Sequence, residues 1–407
     1  MTGFAVKPTR QRKSFKKKLL LVLFGLLLGC LMSEILLRII GYSYPLFYTT
    51  DYYCGFALQP GAEGQYQREG GSYVRINSDG LRDREHARPK PADTIRIAVV
   101  GDSFAEALQV SIEEGFVSVL QRQMENCQAL GGKSVEIINF GVSGYGTAQE
   151  LITLRRKVWE YSPDIVLLTF TTNNDIRDNA RVLKKTDEVP YFVWRDGTLV
   201  EDDSFRLTKT FRWRSSALNR AGRWFYDRLR FVQLIHYAQF VVKVRLAEKR
   251  NQERAGASDQ HPATTSKDIS LENMIYLEPH DETWTDAWRV TEALVEQVRD
   301  EVRQRGAKFV LVTTSNAIQV HPDPAVRQNF MTHIGVSTVF YPNLRLKDFA
   351  QRQQIDFLDL AEPMQTYADQ HRVFLHGFRS DIGNGHWNAA GHRLAAELIA
   401  QRLCGNK

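Results

Sequence analysis

The sequence predicts an α/β protein built on a parallel sheet, with one membrane-crossing helix near its start. Three observations carry that prediction. From residue 95 onward, short apolar runs alternate with amphipathic segments, the pattern of strand–helix units covering both faces of a sheet. Residues 19–40, LLLVLFGLLLGCLMSEILLRII, form an apolar stretch long enough for a bilayer. With 407 residues, 43% hydrophobic and 25% charged, the chain can bury a substantial core and lacks the composition of a disordered protein.

The first 18 residues hold Lys7, Arg10, Arg12, Lys13, Lys16, Lys17 and Lys18 and no acid. Those seven charges exceed the chain's net +6, so everything after them is one charge negative. The basic character belongs to a tail, and nucleic acid binding is not implied. The apolar stretch follows at once; at about 1.5 Å per residue it reaches about 33 Å. Glu34 and Arg38, four apart, can pair on one helix face. Positive charge ahead of the span and none clustered behind it put the tail in the cytoplasm. The large carboxyl-terminal part is then extracytoplasmic, in a bacterium periplasmic, on a single-pass inner-membrane anchor. A cleaved signal peptide and a lipoprotein box at "LLGC" (27–30) are the rival readings; no small-x-small site follows the apolar run, which continues past Cys30.

Residues 41–94, rich in Tyr, Gly and Pro, read as an extended lead-in. The alternating part, 95–404, has strands expected at 95–100, 135–139, 165–170, 309–313 and 355–358. Helices are expected at 113–125, 148–160, 285–305, 345–353 and 389–403. An insertion at about 180–284 is far longer than one crossover needs. Within it, 206–254 holds 13 Lys/Arg against three acids, interleaved with Phe211, Trp213, Trp224, Phe225, Tyr226 and Phe231. The reading taken is a helical hairpin that packs its aromatics inward and leaves its arginines solvated. Contact with anionic headgroups beside the anchor, or a lid over the site, are the alternatives. Residues 252–268 read as a loop.

Four sequence features bear on chemistry. Gly101-Asp102-Ser103 follows the first apolar run, which puts Ser103 at the carboxyl edge of the sheet, where such folds place ligands; taken singly, it is a turn signal. The second strand ends in INFGVSGYGTAQE, with glycines at 141, 144 and 146 that admit close backbone approach. The third ends in Asn173-Asn174-Asp175, where an amide can donate to an oxyanion or cap a helix. His386 stands just before the last helix, in GHWN, with Asp381 upstream. The cysteines (Cys30, Cys54, Cys127, Cys404) have no metal-ligand spacing, and no cofactor is expected.

In this order, the four features resemble the SGNH hydrolases, the GDSL-type esterase superfamily, over roughly residues 92–404. The apolar anchor and the lead-in are similar to those of membrane-anchored bacterial members. The resemblance implies a flavodoxin-like three-layer α/β/α fold with a five-stranded parallel sheet in the order 2-1-3-4-5. It makes Ser103 the nucleophile and His386 the general base. The Ser103 and Gly144 amides and the Asn174 side chain would form the oxyanion hole. The family's acid stands three residues before the histidine; here that position is Gly383, and Asp381 is taken in its place. In the implied sheet order the first and last helices share a face, so a Cys127–Cys404 disulfide is expected, with Cys54 paired to either as the competing arrangement.

The expected activity is hydrolysis of an acyl ester, such as a carbohydrate O-acetyl group, through an acyl-serine intermediate, on an acylated carbohydrate or lipid. The alternatives are O-acetyl transfer in envelope polysaccharide modification, and a non-catalytic carbohydrate-binding or assembly protein on the same fold.

Overall fold

The computed structural model describes residues 11–125, 127, 131–258 and 270–405. The first ten residues of the basic tail and positions 259–268 of the expected loop lie outside the described residues. The chain divides into two compact units, Met1–Pro45 with Ala221–Pro262, and Leu46–Arg220 with Ala263–Lys407.

A long helix, α1 (Gln11–Ile39), comes first. Two antiparallel hairpins follow, β1 (Tyr48–Asp51) with β2 (Gly55–Leu58) and β3 (Glu63–Tyr66) with β4 (Ser72–Arg75). Next come β5 (Thr94–Gly101), α2 (Ser103–Glu106), α3 (Phe116–Met124), β6 (Ser134–Asn139), α4 (Thr147–Arg156), β7 (Ile165–Phe170), and the one-turn α5 (Asp175–Asp178) and α6 (Arg181–Lys184). The insertion continues with a hairpin, β8 (Tyr191–Arg195) and β9 (Thr198–Asp202), then α7 (Lys209–Arg214), α8 (Ala217–Arg228) and α9 (Arg230–Ser258). The chain closes with α10 (Glu282–Gln304), β10 (Lys308–Thr313), α11 (Pro324–Ile334), α12 (Tyr341–Arg352), β11 (Asp356–Asp359), α13 (Ala361–His371) and α14 (Ala389–Cys404).

Five strands form one sheet in the order β6-β5-β7-β10-β11, all parallel. Counted along the chain this is 2-1-3-4-5, the expected flavodoxin-like order. Because strand residues alternate faces, the sheet sorts its apolar side chains into two cores. Ala98, Val100, Ile138, Val166, Leu168 and Leu311 pack with α4, α10 and α12 through Leu151, Leu294, Val298 and Leu346. Ile97, Val99, Ile137, Leu167, Val310 and Val312 pack with α3, α13 and α14 through Leu120, Met364 and Ile399. Burial on both faces is why these strands read as unbroken apolar runs. Arg96, the one interruption in the first, is fully buried and bonds Glu136 Oε2 at 2.7 and 2.8 Å and the carbonyls of Ala87, Arg88 and Tyr161.

With α3 and α14 on one face, the structure joins Cys127 and Cys404 in a disulfide, Cα–Cα 5.5 Å. Cys54 is buried and unoxidised, its thiol against Gln149 O and Thr153 Oγ1.

Three differences from the sequence reading have physical causes. The helix expected at 148–160 stops at Arg156, where Lys157 leaves helical geometry at φ −136° and one 3₁₀ turn follows. The helix expected at 345 starts at Tyr341, with Pro342 in its first turn, where the missing amide costs nothing. In the insertion, Phe211 is buried, but Trp213, Trp224 and Phe225 are 55%, 50% and 57% exposed, so the aromatics are not all packed inward.

Candidate active site

The site lies in the larger unit, at the carboxyl edge of the sheet. Strand β5 runs straight into α2, whose first residue is Ser103. Asp102 caps this turn by accepting from the Phe104 amide at 3.0 Å, and Ala107 ends it in the left-handed region at φ 55°. The turn is fully packed, leaving Ser103 only 6% exposed. That fixes the hydroxyl at the strand end rather than on a mobile loop.

His386 comes from the loop ahead of α14. Asn388 caps that helix through the Ala390 and Gly391 amides, and a bridge between Trp387 and His376 holds the approach. The imidazole tilts against the Phe104 ring at 5.1 Å. Its Nε2 lies 2.7 Å from Ser103 Oγ.

The acid beside this histidine is Glu69. Its Oε2 is 2.5 Å from His386 Nδ1, and its Oε1 accepts from the His386 amide at 2.8 Å. Glu69 stands in the turn between β3 and β4, within the stretch read as an extended lead-in. Gly385 makes the approach feasible: a Cβ there would collide with Glu69 Oε1. Asp381 stands elsewhere, in a short 3₁₀ turn, accepting from Asn384 Nδ2 at 3.0 Å. The expected Asp381 partnership is thus replaced by Glu69; the intervening loop is spent on the turn at Gly383, φ 90°. Nothing in the local sequence marks Glu69, because its partner is 317 positions away.

The electrostatics follow from this pairing. Burial pushes the His386 imidazole down, but bonding to and the charge of Glu69 more than reverse it, leaving it above its ordinary value. Glu69 is raised by burial and lowered further by His386, ending below the usual carboxylate range. Two neighbouring histidines behave oppositely: burial holds His376 at about 4 and His392 at about 3, so both are neutral near pH 7. Of these three, only His386 combines access to Ser103 with a carboxylate partner.

Of the other expected residues, Asn174 reaches the same turn through its side chain and Gly144 through its neighbour Ser143. Asn174 Nδ2 donates to Asp102 Oδ2 at 2.8 Å. Gly144, at φ 80°, follows Ser143, whose amide and hydroxyl both bond Glu106 Oε2 on α2. Tyr48 Oη donates to the same carboxylate oxygen at 2.9 Å. Burial pushes Glu106 up to about 7 against these bonds and the nearby Arg82 charge. Lys184 Nζ holds the Gly144 carbonyl at 2.7 Å. A cleft of about 450 Å³ opens beside Gly144, lined by Phe56, Arg177, Leu183, Lys184 and Glu272 among others. Burial and the charges of Asp175 and Asp102 raise Glu150 well above an ordinary carboxylate, and burial with the charges of Asp102 and Asp178 does the same to Asp175. Among the described residues no cluster has the donors to hold a metal ion.

No protein-family model and no curated protein sequence matches the chain. Among solved structures, it is similar to an acetyl xylan esterase at 12% identity, covering 76% of this chain and 100% of that one, TM-score 0.37. It is also similar to variants of an acetylxylan esterase from Geobacillus stearothermophilus, 12% identical over 77% and 95% of the two chains, TM-score 0.38. A third is a GDSL-like lipase from Bacteroides thetaiotaomicron, 12% identical over 78% and 91%, TM-score 0.32.

Proposed function

We propose that this chain is a membrane-anchored, extracytoplasmic serine esterase of the GDSL type. The observation that carries the reading is the continuous hydrogen-bonded line Ser103 Oγ–His386–Glu69, at 2.7 and 2.5 Å. With the Nδ1 proton toward Glu69, Nε2 is the acceptor that takes the Ser103 proton as Oγ attacks an ester carbonyl. The resulting imidazolium is stabilised by the Glu69 carboxylate, then protonates the departing alcohol. The same histidine activates water to release the acyl group from Ser103. Amides of Ser103 and Gly144 and the Asn174 side chain are assigned to the oxyanion; losing one such donor costs about 3 kcal/mol of barrier.

Anchoring is assigned to Phe15–Ile39, 25 residues whose most apolar 18-residue window has a mean hydropathy of 2.5 and no burial within the protein. The basic tail ahead of it supports a cytoplasmic N-terminus. An envelope carbohydrate bearing O-acetyl groups is the substrate this compartment and chemistry favour.

The test is p-nitrophenyl acetate hydrolysis by the detergent-solubilised full chain, with a fluorophosphonate probe as second readout. Wild type should turn over and label, and Ser103→Ala should do neither. A folded wild type that neither hydrolyses nor labels sinks the esterase reading. Labelling without hydrolysis redirects it to acyl transfer.

A further inference from the structure

We propose that the carboxyl-terminal half of α8 is an interfacial segment, lying in the anionic phospholipid headgroup layer at the end of α1. This rests on the assignment of α1 as the membrane anchor. The argument stays within the smaller unit, to which α1 and α8 from Ala221 onward belong.

The end of α1 is tied to the α8–α9 junction. Arg38 Nη2 donates to the Arg228 carbonyl at 2.6 Å, and Glu34 Oε2 accepts from the Phe231 amide at 3.0 Å. Arg38 Nε bonds Glu34 Oε1 at 2.8 Å, joining the two contacts into one clamp. The strap after α1 closes it: Gln233 Oε1 accepts from the Tyr44 amide at 2.8 Å, and Arg230 bonds Ser43. Glu34 and Arg38 are the polar residues closing a span longer than the bilayer core, so they mark its water-facing boundary. What they hold is therefore at the same depth.

What they hold is chemically suited to that depth. Trp224 and Phe225 are 50% and 57% exposed and meet edge-on at 5.0 Å. Leu229 beside them is exposed too. The Arg228 guanidinium lies 4.3 Å from the Trp224 ring centre, its charge next to the apolar face rather than opposite it. Arg223, Arg228 and Arg230 outnumber the single acid, Asp227, in this stretch. Amphipathic aromatic rings flanked by arginine are what the headgroup layer selects. Water offers these rings nothing, and the exposed apolar helix α1 is hydrogen-bonded to the same junction.

The experiment places nitroxide labels on full-length protein in phosphatidylcholine–phosphatidylglycerol vesicles, in a Cys30→Ser background with Cys54 buried and the disulfide intact. Labels go at Phe225→Cys, at Leu27→Cys inside α1, and at Val182→Cys, a 70% exposed position on the larger unit. Collision with a water-soluble nickel chelate should be roughly threefold slower at 225 than at 182, with oxygen collision raised, as for a residue about 5–10 Å into the interface. A deep Leu27 label with a 225 label as water-accessible as 182 overturns the proposal and leaves the anchor standing. A Leu27 label outside the bilayer removes the anchor and this inference with it. Dipolar broadening at 225 that disappears on dilution with unlabelled chain would show a second copy on the face, and also overturns it.

Discussion

The carboxylate of Glu69 meets Nδ1 of His386 at 2.5 Å and the His386 amide at 2.8 Å, so one side chain grips both the ring and the backbone of the same residue. A two-point grip fixes the imidazole plane as well as its tautomer. In the family pattern an aspartate in the histidine's own loop has this place; here a hairpin turn at the other end of the chain fills it.

Replacing Glu69 with Gln should cut kcat/KM for p-nitrophenyl acetate by roughly 10²–10⁴-fold, the loss typical when the acid of such a triad is neutralised. His386 is held above its ordinary value chiefly by this carboxylate once burial is overcome. Its removal should therefore move the acid limb of the pH–rate profile to lower pH. Asp381→Asn should change neither limb and should lower the rate by less than roughly threefold. Equal losses in the two variants would return Asp381 to the site.

The Glu69–His386 pair also makes stability depend on pH. The raised histidine contributes fully below its unfolded value of about 6.5 and loses that contribution as pH rises through its folded one. The depressed Glu69 contributes above about 4.5 and loses its share as pH falls. The Tm difference between wild type and Glu69→Gln should thus peak between about pH 4.5 and 6.5 and shrink on both sides. A difference that does not shrink on either side of that range would mean the pair is uncoupled.

Glu106 has the opposite sign. Its pKa of about 7 exceeds the unfolded value, so the protein loses stability as pH rises from about 4.5 to 7 and levels off above. Glu106→Gln, which keeps an acceptor for Ser143 and Tyr48, should remove that slope. Thermal melts of both proteins across this range measure it. Because the residue joins α2 to the loop carrying Gly144, activity of the variant should respond more strongly in kcat than in KM.

The Cys127–Cys404 disulfide closes 277 positions of chain. Cys127→Ala should cost about 2–5 kcal/mol in denaturant unfolding, while the folded protein keeps its esterase rate. Reducing wild type should reproduce the shift.

The sheet was legible because each parallel strand, such as Ile165–Phe170 with all six residues buried, is an apolar run with no solvent face to interrupt it. Ser103 and His386 were legible because each sits at a punctuated strand end or helix start. Of the hairpin strands at 48–75, GSYVRI (71–76) reads as strand-like and holds β4, whose residues alternate, but β1 and β3 are half-exposed, with polar and glycine residues that carry no period. Glu69 inherits that invisibility, since only folding relates positions 69 and 386. Asp381 misled because sequence proximity stood in for contact. The exposed Trp224 and Phe225 were read as core because aromatics usually are.

Ser103 and His386 are 283 residues apart, and Glu69 precedes both. A chain made from its amino terminus therefore exposes the serine and the glutamate early and acquires the base almost last. The hydroxyl stays without a proton acceptor until α14 docks beside α3. On the proposed mechanism chemical competence arrives with the last helix, and an unfinished or carboxyl-truncated copy is expected to be inert toward esters, however well its earlier segments have folded.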